Sequence, residues 1–525
     1  MAGDGDPPVR AAEPHVPAQL ADLLAGWLPG QRWFAGKGRE HSIGRLERLG
    51  DLTTWPYRSS VFLAHVHYPA GDTETYQLPL VERPAPVGHL AHALLGELVD
   101  ARTDRVSWWY DALHDDEVTG AWLRHIASAA RRGEVAFHHA PSPPAPATAG
   151  GEPAPGPAGR RRRPDRRHGP APSRVLTAEQ SNTSLVFGDE VILKVFRRLL
   201  AGTNPDIEVH QALARAGAHQ HVARLLGHVS ARWRAEPDGW VGGSLAMLQE
   251  YLRPATDGWQ LATTSLRRRH PAATRHSDLP PGDAGNDFAA EAGRLGVATA
   301  RMHADLARAL PTGVLTGADL ARIAAGMRRR LARAVEAVPQ LAEHAAALHR
   351  IYDDLQAGGA GMRVQRVHGD YHLGQVVRTG QRWVVLDFEG EPASPLAERV
   401  ALDSPLRDVA GMLRSIDYAA GHLSADQPVA GCPPPSERAR QAGAWVIRNQ
   451  AAFCAGYARG SGRDPRDEPA LLRAYEAHKA VYEAVYEARN RPAWLPIPLT
   501  ALARLARAAA AAPATVTGQS PVTDR

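Results

Sequence analysis

Apolar and polar positions change their period along this chain. Pro17 to Trp27 carries helical spacing. Val61 to Tyr68 then alternates, with aromatics and turn residues on either side, which predicts a small, mainly antiparallel sheet ahead of about Val87. Gly88 to Ala136 reads as a helix followed by short strands. From Val175 to Phe196 the pattern predicts three strands joined by two turns, the first turn running from Gln180 to Ser184. Leu245 to Leu252 reads as a strand entering an extended connection. Beyond it the period becomes helical over Phe288 to Leu310, Ala318 to Ala337 and Leu341 to Gln356, with arginines along one face. A strand over Trp383 to Leu386 interrupts this half. Helices return after Asp403 through Ala420, and over Arg438 to Arg459, Asp467 to Arg489 and Ala501 to Thr517. Strands early and helices late predict an α+β chain whose second half is mostly helical. The expected divisions are 1–87, 88–252 and 253–525.

Two stretches break the pattern. His139 to Ser173 is rich in Pro, Ala, Gly and Arg and nearly devoid of large apolar residues, so it reads as a disordered insert. Leu266 to Asp287 reads as a second loop insert. The formal net charge of +5 is concentrated in part in Arg160 to Arg167 inside the first insert. Without interleaved aromatics that run predicts no nucleic-acid partner. A length of 525 residues suits two to three domains, and 44% hydrophobic content is ordinary for a soluble protein. No apolar run is long enough to span a bilayer, and the acidic, Pro-rich start does not read as a signal peptide. Cys432 and Cys454 are too few for a disulfide framework, so a cytoplasmic setting is expected. Among 61 basic side chains only Lys37, Lys194 and Lys479 are lysines. Each is worth asking about, because a compact ammonium differs from a planar guanidinium.

The candidate chemistry lies between His368 and Asp387, which read H-G-D-Y-H-L-G-Q-V-V-R-T-G-Q-R-W-V-V-L-D and continue as F-E-G-E. Asp370 sits in a His-Gly-Asp turn, Gln375 follows five residues later, and Asp387 stands where the apolar strand ends. Phosphoryl transfer needs a carboxylate to orient the accepting hydroxyl and take its proton. It also needs an amide oxygen and a second carboxylate for the magnesium that bridges the nucleotide phosphates. Upstream, the small polar residues Ser181, Asn182, Thr183 and Ser184 offer amides and hydroxyls to phosphates, although polar turns are common. Lys194 ends a strand with apolar neighbours on both sides and needs a partner. Glu208, in the helix opened by Asn204-Pro205-Asp206, is the candidate. Tyr482 and Tyr486 share a helix face, which suits a sugar ring and suits helix packing equally.

H-G-D-x-x-x-x-Q followed by D-F-E resembles the catalytic signature of the aminoglycoside phosphotransferase and choline kinase group, a branch of the protein-kinase-like fold. That group usually carries Asn where Gln375 stands. The longer match, through L-D-F-E-G-E-P and D-S-P-L-R-D-V-A-G-M-L-R-S-I-D-Y-A-A, resembles the maltokinases of actinobacteria, and so does R-W-F-A-G-K-G-R in the first stretch. The resemblance implies a bilobal protein-kinase-like fold with an extra N-terminal cap subdomain, ATP and Mg2+ as co-substrate and cofactor, and transfer to the anomeric hydroxyl of maltose. It implies Asp370 as base, Gln375 and Asp387 as metal ligands, and Lys194 with Glu208 and the backbone of Glu250 and Leu252 as nucleotide contacts. His372, Glu389, Arg407, Tyr482, Tyr486 and Glu487 become acceptor-side candidates, and His368 and Asp408 become structural supports of the catalytic turn. A monomer, with association with trehalose synthase or glucan-synthesis enzymes, is the expected assembly. The rivals are a kinase for glucosamine or an aminoglycoside, and a nucleotide-binding pseudokinase.

Overall fold

The computed structural model describes residues 18–100, 103–141, 172–176, 181–235, 239–268, 288–357, 361–380, 382–391, 394–425 and 435–511. Most of both expected inserts lies outside these residues, as does Cys432. The chain divides into two compact units, residues 1–211 with 224–252, and residues 212–223 with 253–525.

The first unit is built on two antiparallel sheets. One runs in the order Ser42–Thr53, Ser59–His67, Thr73–Arg83, Arg105–Asp111, Leu94–Asp100. The expected division at Val87 therefore cuts through a sheet, whose last two strands come after it. Arg198–Leu199 also pairs with Thr73–Arg83, opposite Tyr76 and Thr75. The second sheet has seven strands, in the order Arg131–Arg132, Val135–His139, Leu225–Ala235, Gly239–Glu250, Val191–Phe196, Asn182–Phe187, Ser173–Leu176. Leu63, Trp122, Phe137, Leu193 and Met247 belong to one buried cluster spanning the strands of both sheets. Arg197 links the two sheets. Its side chain is wholly buried, donates to Thr183 Oγ1 at 2.9 Å, pairs with Asp111 and stacks 4.6 Å from the Trp33 ring.

The second unit is mostly helical. Two short sheets are set among its helices, one of Ala255–Asp257, Val376–Thr379 and Trp383–Val385, the other of Thr312–Val314 and Arg363–Gln365. Helices fall over Ala289–Ala309, Gly317–Ala337 and Ala342–Ala357, close to the helical periodicity of the sequence. The last helix is Pro496–Ala511, earlier than its Ala-rich tail suggests, because Pro is well placed in a first helical turn. Among the described residues, no helix is long and apolar enough to cross a membrane.

The longest contact in this unit, between Ala289–Ala309 and Pro435–Ser461, depends on glycine. A Cβ at Gly456 would lie 2.0 Å from the Gly293 carbonyl oxygen, and one at Gly296 would lie 2.1 Å from that of Phe453. The backbones meet where no side chain intervenes. Gly456→Ala is expected to cost about 1–3 kcal/mol through overpacking. Gly443→Ala, on the same helix but facing open space, should stabilise by up to about 1 kcal/mol through helix propensity. Urea midpoints of the two variants, moving in opposite directions, check this reading.

Candidate active site

The hairpin of Val376–Thr379 and Trp383–Val385 pairs Val376 with Val385 and Arg378 with Trp383. Continuing that register brings Gln375 opposite Leu386, whose amide donates to the Gln375 carbonyl at 2.9 Å. The side chains meet one step further on, where Gln375 Nε2 donates to Asp387 Oδ2 at 3.1 Å. Asp387 itself has φ of +65°, in the left-handed region that Asp tolerates better than most residues. The strand thus ends in a reversal that turns a carboxylate out beside an amide. The Gln375 amide oxygen and the Asp387 carboxylate are hard oxygen donors on one rigid turn. That donor set fits magnesium, which takes few protein ligands and retains water.

The His-Gly-Asp turn is held from behind. Asp408, fully buried near the start of the Leu406–Ala425 helix, accepts from the His368 amide at 2.7 Å and the Gly369 amide at 2.9 Å. His303 Nε2 donates to the same carboxylate at 3.0 Å, and its Nδ1 meets the Tyr457 hydroxyl at 3.0 Å. Burial pushes the Asp408 carboxyl up, but the His303 hydrogen bond, the nearby histidines and the Gly369 amide outweigh it and hold the group below its usual range. His368 connects the turn to the hairpin. Its Nε2 donates to the Leu386 carbonyl at 2.8 Å, next to Asp387, while its Nδ1 accepts from the Asp370 amide at 3.3 Å. Gly369 has φ of +84°, and a Cβ there would press within 3.3 Å of the Gly390 Cα.

Asp370 is four-fifths covered, and its Oδ1 accepts from Lys479 Nζ at 2.9 Å. His372 Nδ1 accepts from the Gly374 amide, so the ring proton sits on Nε2, which faces Asp370 Oδ2 at 3.9 Å. Burial raises the Asp370 carboxyl, yet the Lys479 and His372 charges and the Lys479 hydrogen bond hold it at about 2. The group is therefore ionised throughout the physiological range. Its Oδ2 makes no hydrogen bond among the described residues, which leaves that oxygen for an accepting hydroxyl.

In the first unit, Lys194 Nζ lies 3.6 Å from Asp206 Oδ2, both side chains being nearly covered. His210 Nδ1 lies 3.1 Å from the other oxygen of Asp206. The sequence used Asp206 only to open the Pro205–Arg215 helix. The structure places it at the lysine, alongside the expectation of Glu208 two residues further on. The reading of Gln180 to Ser184 as a turn needs correction. Asn182 to Ser184 already belong to the strand Asn182–Phe187, where they pair with Phe196, Val195 and Lys194. Ser184 is fully buried and Thr183 Oγ1 is taken by Arg197, so these two hydroxyls are turned away from any phosphate. Pairing with Val191–Phe196 and β-branched Thr183 extend the strand toward the polar end. At the strand exit the Glu250 amide donates to the Arg224 carbonyl at 3.0 Å and the Tyr251 amide to the Glu190 carbonyl at 2.8 Å.

Acceptor-side candidates divide in the same way. Tyr482 lines a cavity of about 300 Å³ in the second unit, together with Arg330, Glu391 and Arg489. Tyr486 stacks on Tyr482 at 6.4 Å and is 41% exposed. Glu487 is 2% exposed and is held by Tyr418 and Arg491, so it anchors packing and is not available to a substrate. Arg407 pairs with Asp403 at 3.1 Å and lies 3.9 Å from Glu391, and Glu389 is half-buried two residues after Asp387. Sequence reasoning missed His303, Glu391 and Lys479. Only Lys479 had left a signal, as one of three lysines.

A model for the maltokinase N-terminal cap domain matches residues 27–115, and one for the phosphotransferase enzyme family matches residues 173–471. A glucosamine kinase from Streptacidiphilus jiangxiensis is 32% identical over 337 residues, 62% of this chain and 71% of that protein. One from Mycolicibacterium smegmatis is 29% identical over 344 residues, 63% and 79% of the two chains. The structure of a glucosamine kinase in complex with glucosamine, ADP and inorganic phosphate superposes with a TM-score of 0.60 at 23% identity, covering 92% of this chain and 98% of that one.

The brace behind the turn predicts its own failure. In Asp408→Asn, an amide NH2 must face either a backbone N–H or His303, leaving a buried donor unpaired at about 1–3 kcal/mol. The turn should shift and kcat should fall, about 100-fold for a displacement of about 1 Å, with ATP affinity retained. Unfolding midpoint, kcat and nucleotide calorimetry on the variant measure the three quantities.

Proposed function

Because the chain belongs to the phosphotransferase enzyme family, has its protein-kinase-like fold and carries a maltokinase-type N-terminal cap, we propose that it transfers the γ-phosphoryl group of ATP to the anomeric hydroxyl of maltose, giving α-maltose 1-phosphate. The cap match over residues 27–115 carries the choice of maltose. The sequence resemblance around L-D-F-E-G-E-P supports the same choice. Glucosamine is the second reading, because the two curated relatives described above are named for it and a solved glucosamine kinase covers 92% of this chain.

In this reading Asp370 Oδ2 accepts a hydrogen bond from the sugar hydroxyl and aims its oxygen at the γ-phosphorus. The oxygen–phosphorus bond forms as the bond to the β–γ bridging oxygen breaks, ADP leaves, and the hydroxyl proton passes to Asp370. A carboxylate held at about 2 is a weak base, so its main contribution is alignment, with proton transfer late in a loose transition state. Gln375 and Asp387 would hold magnesium, which supplies neutralisation of phosphate charge. Lys194, kept in place by Asp206, supplies a fixed ammonium for the α- and β-phosphates.

Purified protein with Mg-ATP and a panel of maltose, glucose, glucosamine and aminoglycosides tests the assignment, with the position of the new phosphate read by phosphorus NMR. Maltose phosphorylated at the anomeric carbon is expected, and transfer to the amino sugar alone would favour the second reading. Asp370→Asn keeps shape but removes the charge and the base. It should lower kcat by about 10²- to 10⁴-fold or more while ATP binding by calorimetry stays unchanged. A variant retaining a tenth of the wild-type kcat would remove Asp370 from the mechanism.

The pH dependence has a defined sign. A depressed carboxyl is competent wherever it is ionised, and competence is lost only as pH falls toward about 2. Asp370 should therefore impose no acid limb on kcat between pH 8 and about pH 5. An acid limb in that window that vanishes in Asp370→Asn, measured on its residual rate, would contradict the Lys479 pairing.

A further inference from the structure

Lys479 lies on the Pro469–Asn490 helix, 109 residues from the aspartate it binds. Its position is not that of a loose surface lysine. Tyr475, four residues before it, is tied to Asp403, and Glu483, four residues after it, is tied to the fully buried Arg414 at 2.5 Å. One turn further, Glu487 is held by Tyr418 and Arg491. Steps of four keep these side chains on neighbouring parts of one helix face, so the segment carrying Lys479 is clamped on both sides. The ammonium also lies 4.8 Å from the centre of the Tyr482 ring. Tyr482 in turn forms a wall of the cavity of about 300 Å³, the lower end of the range for small-molecule sites.

Charges around this cavity are unbalanced. Arg330, Arg333 and Arg489 line it with one acid, Glu391. Glu391 is itself occupied, with Arg330 at 3.5 Å and Arg407 at 3.9 Å. Glu483 is neutralised by Arg414. Asp370 is the remaining acid next to Lys479, and one of its oxygens is already given to that lysine.

We propose that Lys479 is a positioning and specificity-determining residue of the acceptor side: its ion pair fixes the Asp370 carboxylate, and its charge, with the arginines of the adjoining cavity, excludes acceptors that carry an ammonium group in favour of neutral polyhydroxy sugars. This rests on the reading of Asp370 as the group that orients the acceptor. A hydroxyl bonded to Asp370 Oδ2 brings its ring substituents to within about 6 Å of the lysine. With Lys479 at 2.9 Å the negative charge of Asp370 is cancelled, so an ammonium there gains no attraction from the carboxylate and meets the guanidinium groups of Arg333 and Arg489 at the cavity. A neutral hydroxyl at the same place meets no such penalty and is offered an aromatic face by Tyr482.

The test compares kcat/KM for glucose and maltose with that for glucosamine, using the full chain and Mg-ATP at one pH. Wild type should prefer the neutral sugars. Lys479→Met should lower kcat on the neutral sugars about 10- to 100-fold, because Asp370 loses its holding partner, and should raise the ratio of glucosamine to glucose about 10-fold or more. Lys479→Arg should keep the wild-type ratio and part of the rate. Arg489→Gln alters an exposed side chain that does not support the fold, and should raise the ratio several-fold with the melting temperature unchanged. Wild type that uses glucosamine as well as glucose overturns the proposal, as does an unchanged ratio in a folded Lys479→Met. If that variant does not fold, an unchanged ratio in Arg489→Gln overturns it. Wild type that phosphorylates no sugar in the panel is a different failure, of the phosphotransfer reading itself.

Discussion

An ionised carboxylate removed from water is stable only when its lone pairs are taken, and Asp408 meets that condition with two backbone amides and a histidine. The catalytic geometry proposed for the second unit depends on it. The amides belong to His368 and Gly369, so the carboxylate sets the path of the turn that presents Asp370. The His368 ring then reaches the Leu386 carbonyl, which carries the constraint to Asp387 and, through the hairpin register, to Gln375. Three side chains that must be placed within fractions of an ångström are thereby referred to one buried charge. The Leu406–Ala425 helix approaches closely enough to deliver it because residue 411 is glycine: a Cβ there would lie 2.5 Å from the Tyr371 carbonyl oxygen.

What the sequence revealed of this arrangement was its local part. His368, Asp370, Gln375 and Asp387 fall within twenty residues, and their spacing alone implies a turn followed by a hairpin whose ends meet. The supports were legible only where resemblance supplied them, as for Asp408. His303 stands 105 residues from Asp408, and Lys479 stands 109 from Asp370. No periodicity relates residues so far apart. His303 lies on a helix whose other buried residues are mostly apolar, and it is core, but core with a polar task. The misplacement of the turn at Asn182 to Ser184 has another origin. Residue type there is neutral between strand and turn, and pairing with the neighbouring strand Val191–Phe196 decides the matter, which a single segment cannot display. The division expected at Val87 failed for a similar reason, since the sheet is completed by strands on the far side of a 3-10 turn at Gly88–Ala93.

Charge is used differently in the two units. In the first, Lys194 and Asp206 are nearly covered, and the lysine stands on a strand paired along both edges, so the ammonium is held at a fixed point. In the second, Lys479 is held by the acid it serves and by a helix anchored at both ends. Two lysines survive at these sites in a chain that otherwise uses arginine almost throughout. A compact, strongly hydrated ammonium is the common requirement, since a planar fork would have to be accommodated along two directions at once.

Arg197 gives the first unit a property that the division between its two family matches, 27–115 and 173–471, does not suggest. Its guanidinium has no exposure, its counter-charge comes from Asp111, its stacking surface from Trp33 and its remaining bond from Thr183. The strand of residues 198–199 follows directly and completes the first sheet. Modularity in sequence is thus not modularity in folding. A chain begun after the cap would keep a buried cation and lose its anion, so the cap and the sheet that carries Lys194 are expected to unfold as one piece.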